Sequence, residues 1–228
     1  SISQAMFGMG LLVFGTPALL LIGYSFEEAL LILVPASFTV STLQLIEGNK
    51  ISVEFKRAFL IYSLPVTFLV LGAYLKFTSP INMSVIIGIV MLIFSFIRIF
   101  PKKLEEIISK TVRRHVKIVM LLMGIIHGIS NMGGAILSIL ATTYFKKKAE
   151  IRGAVVFCYW FFGFIQLVSL ALFAKSNFSV FLVIIIPLVS FIYLFIGRIT
   201  FRYLNEKLYQ GFLTFFIFCF SVLLIVKD

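Results

Sequence analysis

Carboxylate side chains are scarce in this chain, and none lies inside a long apolar run. The 228 residues include nine Asp and Glu, against 20 Lys and Arg. All nine stand in polar connections or at the ends of apolar runs: Glu27, Glu28, Glu47, Glu54, Glu105, Glu106, Glu150, Glu206 and Asp228. A buried carboxylate is the usual proton relay or cation site in a membrane, and acid–base hydrolysis needs a comparable group. This absence argues against a cation carrier and against an enzyme.

Metal ligands are equally sparse. Cys158 and Cys219 both lie in apolar runs, and the two histidines are His115 and His127. Neither pair has the spacing of a metal site, and the cysteines give no reason to expect a structural disulfide. We therefore expect no metal and no cofactor.

Apolar residues dominate what remains. They make up 61% of the chain, charged residues make up 13%, and the mean hydropathy is +1.12. A soluble domain has roughly a quarter charged residues, so the composition predicts an all-α polytopic membrane protein embedded in a lipid bilayer. The net charge of +11 would suggest nucleic acid in a soluble chain. Here the basic residues sit in short loops, as the positive-inside rule expects, and no nucleic-acid partner is predicted.

The apolar segments fall into two similar halves, which we interpret as repeats. The first, 1–100, holds a broken segment at 1–24 and spans at 29–46, 58–75 and 81–99. A basic, amphipathic cytoplasmic connection follows at 101–117. The second repeat, 118–228, holds a broken segment at 118–145 and spans at 153–174, 178–197 and 208–226. Such duplication is typical of transporters.

Two residue pairs support the duplication. Gly10 and Gly133 are 123 residues apart, and Gln44 and Gln166 are 122 apart. By the first offset Ser1 pairs with Gly124, so we expect the partner of Ile118–Met123 to lie upstream of this chain.

The second broken segment contains two apolar runs that meet at Ser130–Gly134. Each run of about 12 residues rises only about 18 Å as a helix, too little for a hydrocarbon core of about 30 Å. Adjacent glycines next to Asn131 also make a poor helix interior. The segment either crosses the membrane once as a broken helix or enters and returns as a re-entrant hairpin.

The distribution of Lys and Arg favours re-entry. If all eight segments cross, the two sides of the membrane hold 12 and 8 basic residues. If both broken segments re-enter, the sides hold 17 and 3. Basic residues concentrate on the cytoplasmic side, so we predict two re-entrant hairpins. Each repeat then has three full crossings, the second repeat is inverted, and both chain ends are external at the plasma membrane.

Neutral donors and helix ends are the groups left to bind a substrate. Helices that begin after Gly10 and Gly133 present free N–H groups and a partial positive charge, which favour an anion. Inverted repeats place such a site near the midplane. The candidate ligands are Gln4, Gly8, Gly10, Thr16, Ser41, His127, Ser130, Asn131, Gly133, Gly134 and Tyr159. The alternatives are close helix packing for the glycines, a buried hydrogen-bonding role for His127, and local backbone hydrogen bonds for Ser41 and Tyr159.

Two glycine-based motifs resemble those that open each half of the sulfite exporter TauE/SafE family. They are Gly8-Met9-Gly10 followed by Pro17-Ala18-Leu19, and the set Gly124, Gly128, Asn131, Gly133 and Gly134. The resemblance covers nearly the whole chain and implies a multi-pass permease for small sulfur-containing or organic anions, such as sulfite or sulfonates, often as an exporter. The first motif has Leu11-Leu12 where the family commonly continues with Gly. The second hairpin is therefore the stronger site.

Three functions stay open at this point. A secondary carrier alternates access around the hairpin tips, and a channel-like facilitator uses the same site without large rocking. A membrane assembly subunit without a substrate predicts that polar residues at the tips tolerate Ala. The anion, the direction, the driving force and the choice between monomer and homo-oligomer are also open.

Overall fold

Every secondary-structure element in the described part of the chain is helical. The computed structural model describes residues 10–46, 51–77, 82–99, 110–178, 180–197 and 206–227. The helices are α1 (Leu11–Ile22), α2 (Phe26–Ile46), α3 (Val53–Phe77), α4 (Met83–Ile99), α5 (Val116–Ser130), α6 (Gly134–Tyr144), α7 (Lys148–Phe173), α8 (Leu182–Ile192) and α9 (Glu206–Lys227). By length and composition, α2, α3 and α7 can each cross a membrane, and the others include shorter apolar helices. This architecture agrees with the predicted all-α membrane protein.

Local sequence signals set several helix ends. Before α2, the Ser25 hydroxyl accepts from the Glu28 N–H at 3.2 Å, and the Glu28 carboxylate accepts from the Ser25 N–H at 2.8 Å. This reciprocal pair is a capping box. Ser52 caps α3 by accepting from the Phe55 N–H at 3.3 Å. Helix α1 ends at Gly23, whose left-handed φ of 107° is a conformation that glycine adopts at little cost.

Two helices begin five residues earlier than the predicted spans. Helix α3 begins at Val53 rather than 58, and α7 begins at Lys148 rather than 153. Basic residues such as Lys56 and Arg152 therefore lie in the first turns of helices, not in loops. A hydropathy pattern ends a span at its first charges, whereas long basic side chains can extend from a helix end to the polar interface.

A proline shapes the middle of α3. Pro65 lacks an N–H and its ring would clash with the carbonyl of residue 61, so a regular α-helix cannot pass through it undisturbed. The turn just before it, Phe59–Ser63, is π-helical. The adjacent helix α5 lies close to this turn, since the Thr67 hydroxyl donates to the carbonyls of Ser63 at 3.0 Å and Gly124 at 3.2 Å. The irregular turn thus helps to position α5.

Helix α7 lies at the centre of the molecule and packs against α2 and α3. The indole N–H of Trp160 donates to the Thr42 hydroxyl of α2 at 3.0 Å. Phe162, also on α7, meets the ring of Phe59 edge to face with centroids 4.9 Å apart. Around this centre α5 packs on α3, α1 and α8 pack on α2, and α9 packs on α4 and α1.

The two ends of the segment 118–145 lie side by side. The Arg113 guanidinium, just before α5, donates to the Thr143 carbonyl near the end of α6 at 2.8 Å. Phe55 at the start of α3 packs against Tyr144 and Phe145, with ring centroids 5.7 and 5.4 Å away. The chain therefore reverses direction between α5 and α6.

A second set of contacts joins other helix ends. The Glu27 carboxylate, in the first turn of α2, accepts from the N–H groups of Lys175 at 2.9 Å and Ser176 at 2.7 Å, just after α7. The Lys227 ammonium, in the last turn of α9, donates to the carbonyls of Leu20 and Leu21 in α1 at 3.0 Å each. The start of α2 is thus near the end of α7, and the ends of α1 and α9 meet.

Candidate functional site

The break between α5 and α6 falls where the sequence predicts it. Helix α5 ends at Asn131, which adopts the left-handed conformation with φ 63°. Its N–H still bonds to the His127 carbonyl at 2.9 Å. Asparagine is one of the few residues that visits this conformation readily. The Ser130 hydroxyl donates to the Ile126 carbonyl at 2.6 Å and accepts from the Met132 N–H at 3.3 Å, so it orders the turn.

Helix α6 begins immediately after the break, and no side chain caps its first N–H groups. Gly133 occupies the N-cap position and Gly134 is the first helical residue. Without a capping side chain, the N–H groups of the first turn and the positive end of the helix dipole can bind an anion. Gly10 occupies the corresponding N-cap position before α1. No side chain caps that helix either, and the φ of Gly10 is 147°.

Asn131 connects three parts of the chain. Its amide nitrogen donates to the Thr16 hydroxyl of α1 at 3.1 Å, and its amide oxygen accepts from the Gln166 amide nitrogen of α7 at 3.0 Å. All three side chains are fully buried. Polar groups that are buried among apolar helices are costly unless they are hydrogen-bonded, so this chain of three fixes the break against α1 and α7.

His127 lies one turn before the break and is fully buried. Its ring stacks on Phe162 with centroids 3.8 Å apart, and meets Tyr159 edge to face at 5.9 Å. The Gln166 side chain is near enough to interact with the imidazole, but neither ring nitrogen makes a hydrogen bond of good geometry within the described residues. Both ring nitrogens are therefore able to bind a ligand.

Gly133 has no room for a side chain. A Cβ atom there would lie 2.6 Å from the His127 Cβ and 3.0 Å from its Nδ1. The His127 side chain therefore packs directly against Gly133, at the start of α6. Any side chain at position 133 would therefore displace His127.

Most of the predicted site residues in the described ranges gather at this break. The break is surrounded by Thr16, Ser130, Asn131, Gly133 and Gly134. Tyr159 contacts His127. Ser41 is buried on α2, a helix that packs against α1 and α7. Gln4 and Gly8 lie outside the described residues.

Gln166 belongs to the site and was absent from the predicted ligands. The signal for it was present in the sequence, because an uncharged amide inside an apolar helix has to find a buried partner. Its counterpart at an offset of 122 is Gln44, which is also buried.

Two other motif glycines serve packing and not the site. A Cβ at Gly124 would lie 2.5 Å from the Ser63 carbonyl oxygen, and one at Gly128 would lie 2.9 Å from the Val70 Cβ. Both glycines let α5 approach α3 closely, as small residues do between membrane helices. For these two positions the alternative of helix packing is the better interpretation.

The site thus offers hydrogen-bond donors without a fixed negative charge. It combines the N-terminus of α6, an imidazole, and the amides of Asn131 and Gln166. Within the described residues there is no cluster of three or more His, Cys, Asp or Glu that could hold a metal.

Comparison with known proteins gives one match. The family model of the sulfite exporter TauE/SafE matches residues 1–224. Neither the curated proteins nor the solved structures compared with the chain match it significantly. Because the family match extends over nearly all of the 228 residues, the chain belongs to the sulfite exporter TauE/SafE family of membrane transporters.

Proposed function

We propose that this protein carries a small sulfite-type anion, such as sulfite or a sulfonate, across the plasma membrane by alternating access. The observation that carries the proposal is the environment of His127. The imidazole is fully buried, lacks a hydrogen bond of good geometry, and packs beside Gly133 at an uncapped helix N-terminus. Such a site lacks a negative ligand, and family membership supports a sulfite-type anion.

The proposed ligands are the α6 N-terminus, His127 and the amides beside them. A helix N-terminus carries about half a positive elementary charge, and its N–H groups match the oxygens of a small oxyanion. Asn131 is held by Thr16 and Gln166, so it stays rigid while substrate enters. Hydrogen bonds to a charged group contribute about 1.5–3 kcal/mol each, so a few such donors provide affinity without a buried Lys or Arg.

The proposed topology is a re-entrant hairpin formed by α5 and α6. The contact of Arg113 with Thr143 supports entry and exit on one side. With 15 and 11 residues, the two helices rise about 22 and 16 Å, each short of a core of about 30 Å.

A count of crossings supports the same topology. Glu27 bonds to the backbone at Lys175, so both residues lie on one side of the membrane. Between them the chain passes through α2, α3, α4, the α5–α6 segment and α7. Only an even number of crossings returns the chain to the same side, and that number is four if the α5–α6 segment does not cross. We infer that the second repeat is inverted relative to the first, with both chain ends external.

Flux measurements in proteoliposomes test the function. We expect purified protein to carry sulfite or methanesulfonate at a rate that saturates with anion concentration. Preloading the opposite face with the same anion should accelerate uptake if access alternates, whereas a channel-like facilitator would show no such acceleration. Absence of both flux and binding for these anions would refute the proposal and leave the assembly subunit as the better explanation.

A further inference from the structure

His127 is buried without a counter-charge among the described residues. The rings of Phe162 and Tyr159, the Gln166 side chain and Gly133 surround it. The Tyr159 phenol is the titratable group that contacts the ring. Helix α7 and the helices that pack against α5 carry other titratable groups. Each of these groups lies toward a helix end, contacts other residues or is buried elsewhere: Glu54, Lys56, Arg57, Tyr62, Tyr74, Lys76, Tyr144, Glu150, Arg152 and Cys158.

This environment makes the charge of the imidazole depend on the substrate. A protonated imidazole that is buried among aromatic rings is unfavourable, because no carboxylate contacts it. An anion at the N-terminus of α6 would lie beside His127, whose Nδ1 is 3.0 Å from the position of a Cβ on Gly133. The bound anion would then supply the missing counter-charge, and the protonated ring would add a donor to the anion. Each ligand therefore strengthens the binding of the other, as thermodynamic linkage requires.

The neighbouring amides suit a protonated ring. Gln166 donates through its amide nitrogen to Asn131, which leaves its amide oxygen buried and without a hydrogen bond of good geometry. A neutral imidazole has one N–H, whereas a protonated imidazole has two. One of the two can bind the anion, and the other can donate to the Gln166 oxygen. The neutral ring cannot do both.

We propose that His127 takes up one proton with each anion, so that the chain is a proton-coupled anion carrier. The inference rests on the proposed function and adds the coupling ion to it. The proton comes from water on the side where the anion enters, forms an N–H bond on the imidazole, and returns to water when the anion leaves on the other side. No electrons are transferred, and a monovalent anion and its proton cross without net charge.

Proton counting in proteoliposomes tests the coupling. Methanesulfonate is the main probe because it stays ionised and carries no proton of its own, and sulfite is measured in parallel. We expect an acidic exterior to drive methanesulfonate accumulation, and an internal pH indicator to report one proton per anion. In His127→Gln the number of protons carried per anion should fall to zero in any anion flux that remains. The matched control is His115→Gln, which makes the same substitution at an exposed histidine outside the site and should leave this number at one.

A measurement independent of flux follows the ring itself. The chain has two histidines, and the one other than His127, which is His115, is exposed. In protein labelled with ¹⁵N-histidine, saturating sulfite or methanesulfonate at constant bulk pH should convert the His127 signal from imidazole to imidazolium. His115 serves as the internal reference.

The outcomes separate the two proposals. Absence of anion flux and of anion binding would overturn the proposed function. Anion flux with no accompanying proton, or a His127 ring that stays neutral with anion bound, would overturn only the coupling. Retention of one proton per anion in His127→Gln would also overturn it, because the proton would then travel by another route.

Discussion

Asn131 shows how one side chain can serve both the backbone and the site. Its left-handed conformation ends α5, and its amide group bonds to Thr16 on one side and Gln166 on the other. A β-branched or larger apolar residue would satisfy neither requirement. The polar atoms at the centre of the break are therefore held in place by hydrogen bonds.

Two substitutions of Asn131 separate these roles. Asn131→Gly and Asn131→Ala both remove the amide hydrogen bonds, so both should lower sulfite flux. Ala should also destabilise the protein relative to Gly, by about 1–2 kcal/mol, because it is strained in the left-handed conformation. Thermal unfolding in detergent measures the difference. Equal stability of the two variants would contradict the proposed backbone role.

Gly133 is the position where added volume should block the site. Gly133→Leu should abolish transport, because the side chain would displace His127 from the start of α6, and thermal unfolding in detergent checks that the variant is folded. Gly133→Ala should lower flux by about tenfold or more, as expected when a charge-assisted hydrogen bond worth about 1.5–3 kcal/mol is disturbed. Gly211→Leu is the control, since nothing lies within 4 Å of a Cβ there. Wild-type flux in Gly133→Leu would rule out this site.

At the scale of elements, the close contact of α5 with α3 positions α5 in the molecule. The π-helical turn before Pro65 and the hydroxyl of Thr67 meet α5 at Gly124. Backbones approach this closely only where one helix lacks a side chain. Helix α5 is therefore positioned by its packing rather than by the site at its end.

A substitution at this contact should lower the stability of the protein without removing anion binding. Gly124→Ala places a Cβ 2.5 Å from a backbone oxygen, so it should destabilise the protein by about 1–3 kcal/mol, the usual cost of overpacking. Below its lowered melting temperature the variant should still bind the anion. Gly211→Ala is the matched control and should unfold like the wild type. Unchanged stability of Gly124→Ala would contradict the close contact.

At the scale of the whole molecule, contacts join two groups of helix ends: Arg113 with Thr143, and Glu27 with Lys175, beside the contact of Lys227 with α1. The proposed topology puts these two groups on opposite sides of the membrane. This division agrees with the unequal distribution of basic residues, because Lys and Arg concentrate on the cytoplasmic side. Each contact joins segments that are far apart in the chain, so together they constrain the number of crossings.

Labelling of single cysteines tests this arrangement. In a background that lacks Cys158 and Cys219, Lys110→Cys and Lys147→Cys should react with a membrane-impermeant reagent only from the cytoplasmic face. Lys175→Cys should react only from the outside. Labelling of positions 110 and 147 from opposite faces would mean that α5 and α6 together cross the membrane, and the inverted repeat would be wrong.

Composition and apolar patterning by themselves determined the class of this protein and the position of its break. The stretch Ser130–Gly134 is too polar to continue a helix, and the apolar runs on either side are too short to cross the membrane alone. Both conclusions follow from the sequence without any tertiary contact. The motif glycines likewise indicated the family. Helices α3 and α7 begin at Val53 and Lys148, five residues before the predicted spans, because hydropathy cannot distinguish a loop from a helix end with long basic side chains.

Only the tertiary structure decided which polar residues meet. Thr16, Asn131 and Gln166 are far apart in the chain and form one hydrogen-bonded group, whereas the equally conspicuous Gly124 and Gly128 serve helix packing. The physical reason is that the periodicity and composition of a helix show which of its faces is apolar. They do not show which buried polar groups on different helices contact one another. The same limit applies to His127, whose position opposite Gly133 depends on how the chain turns at Asn131.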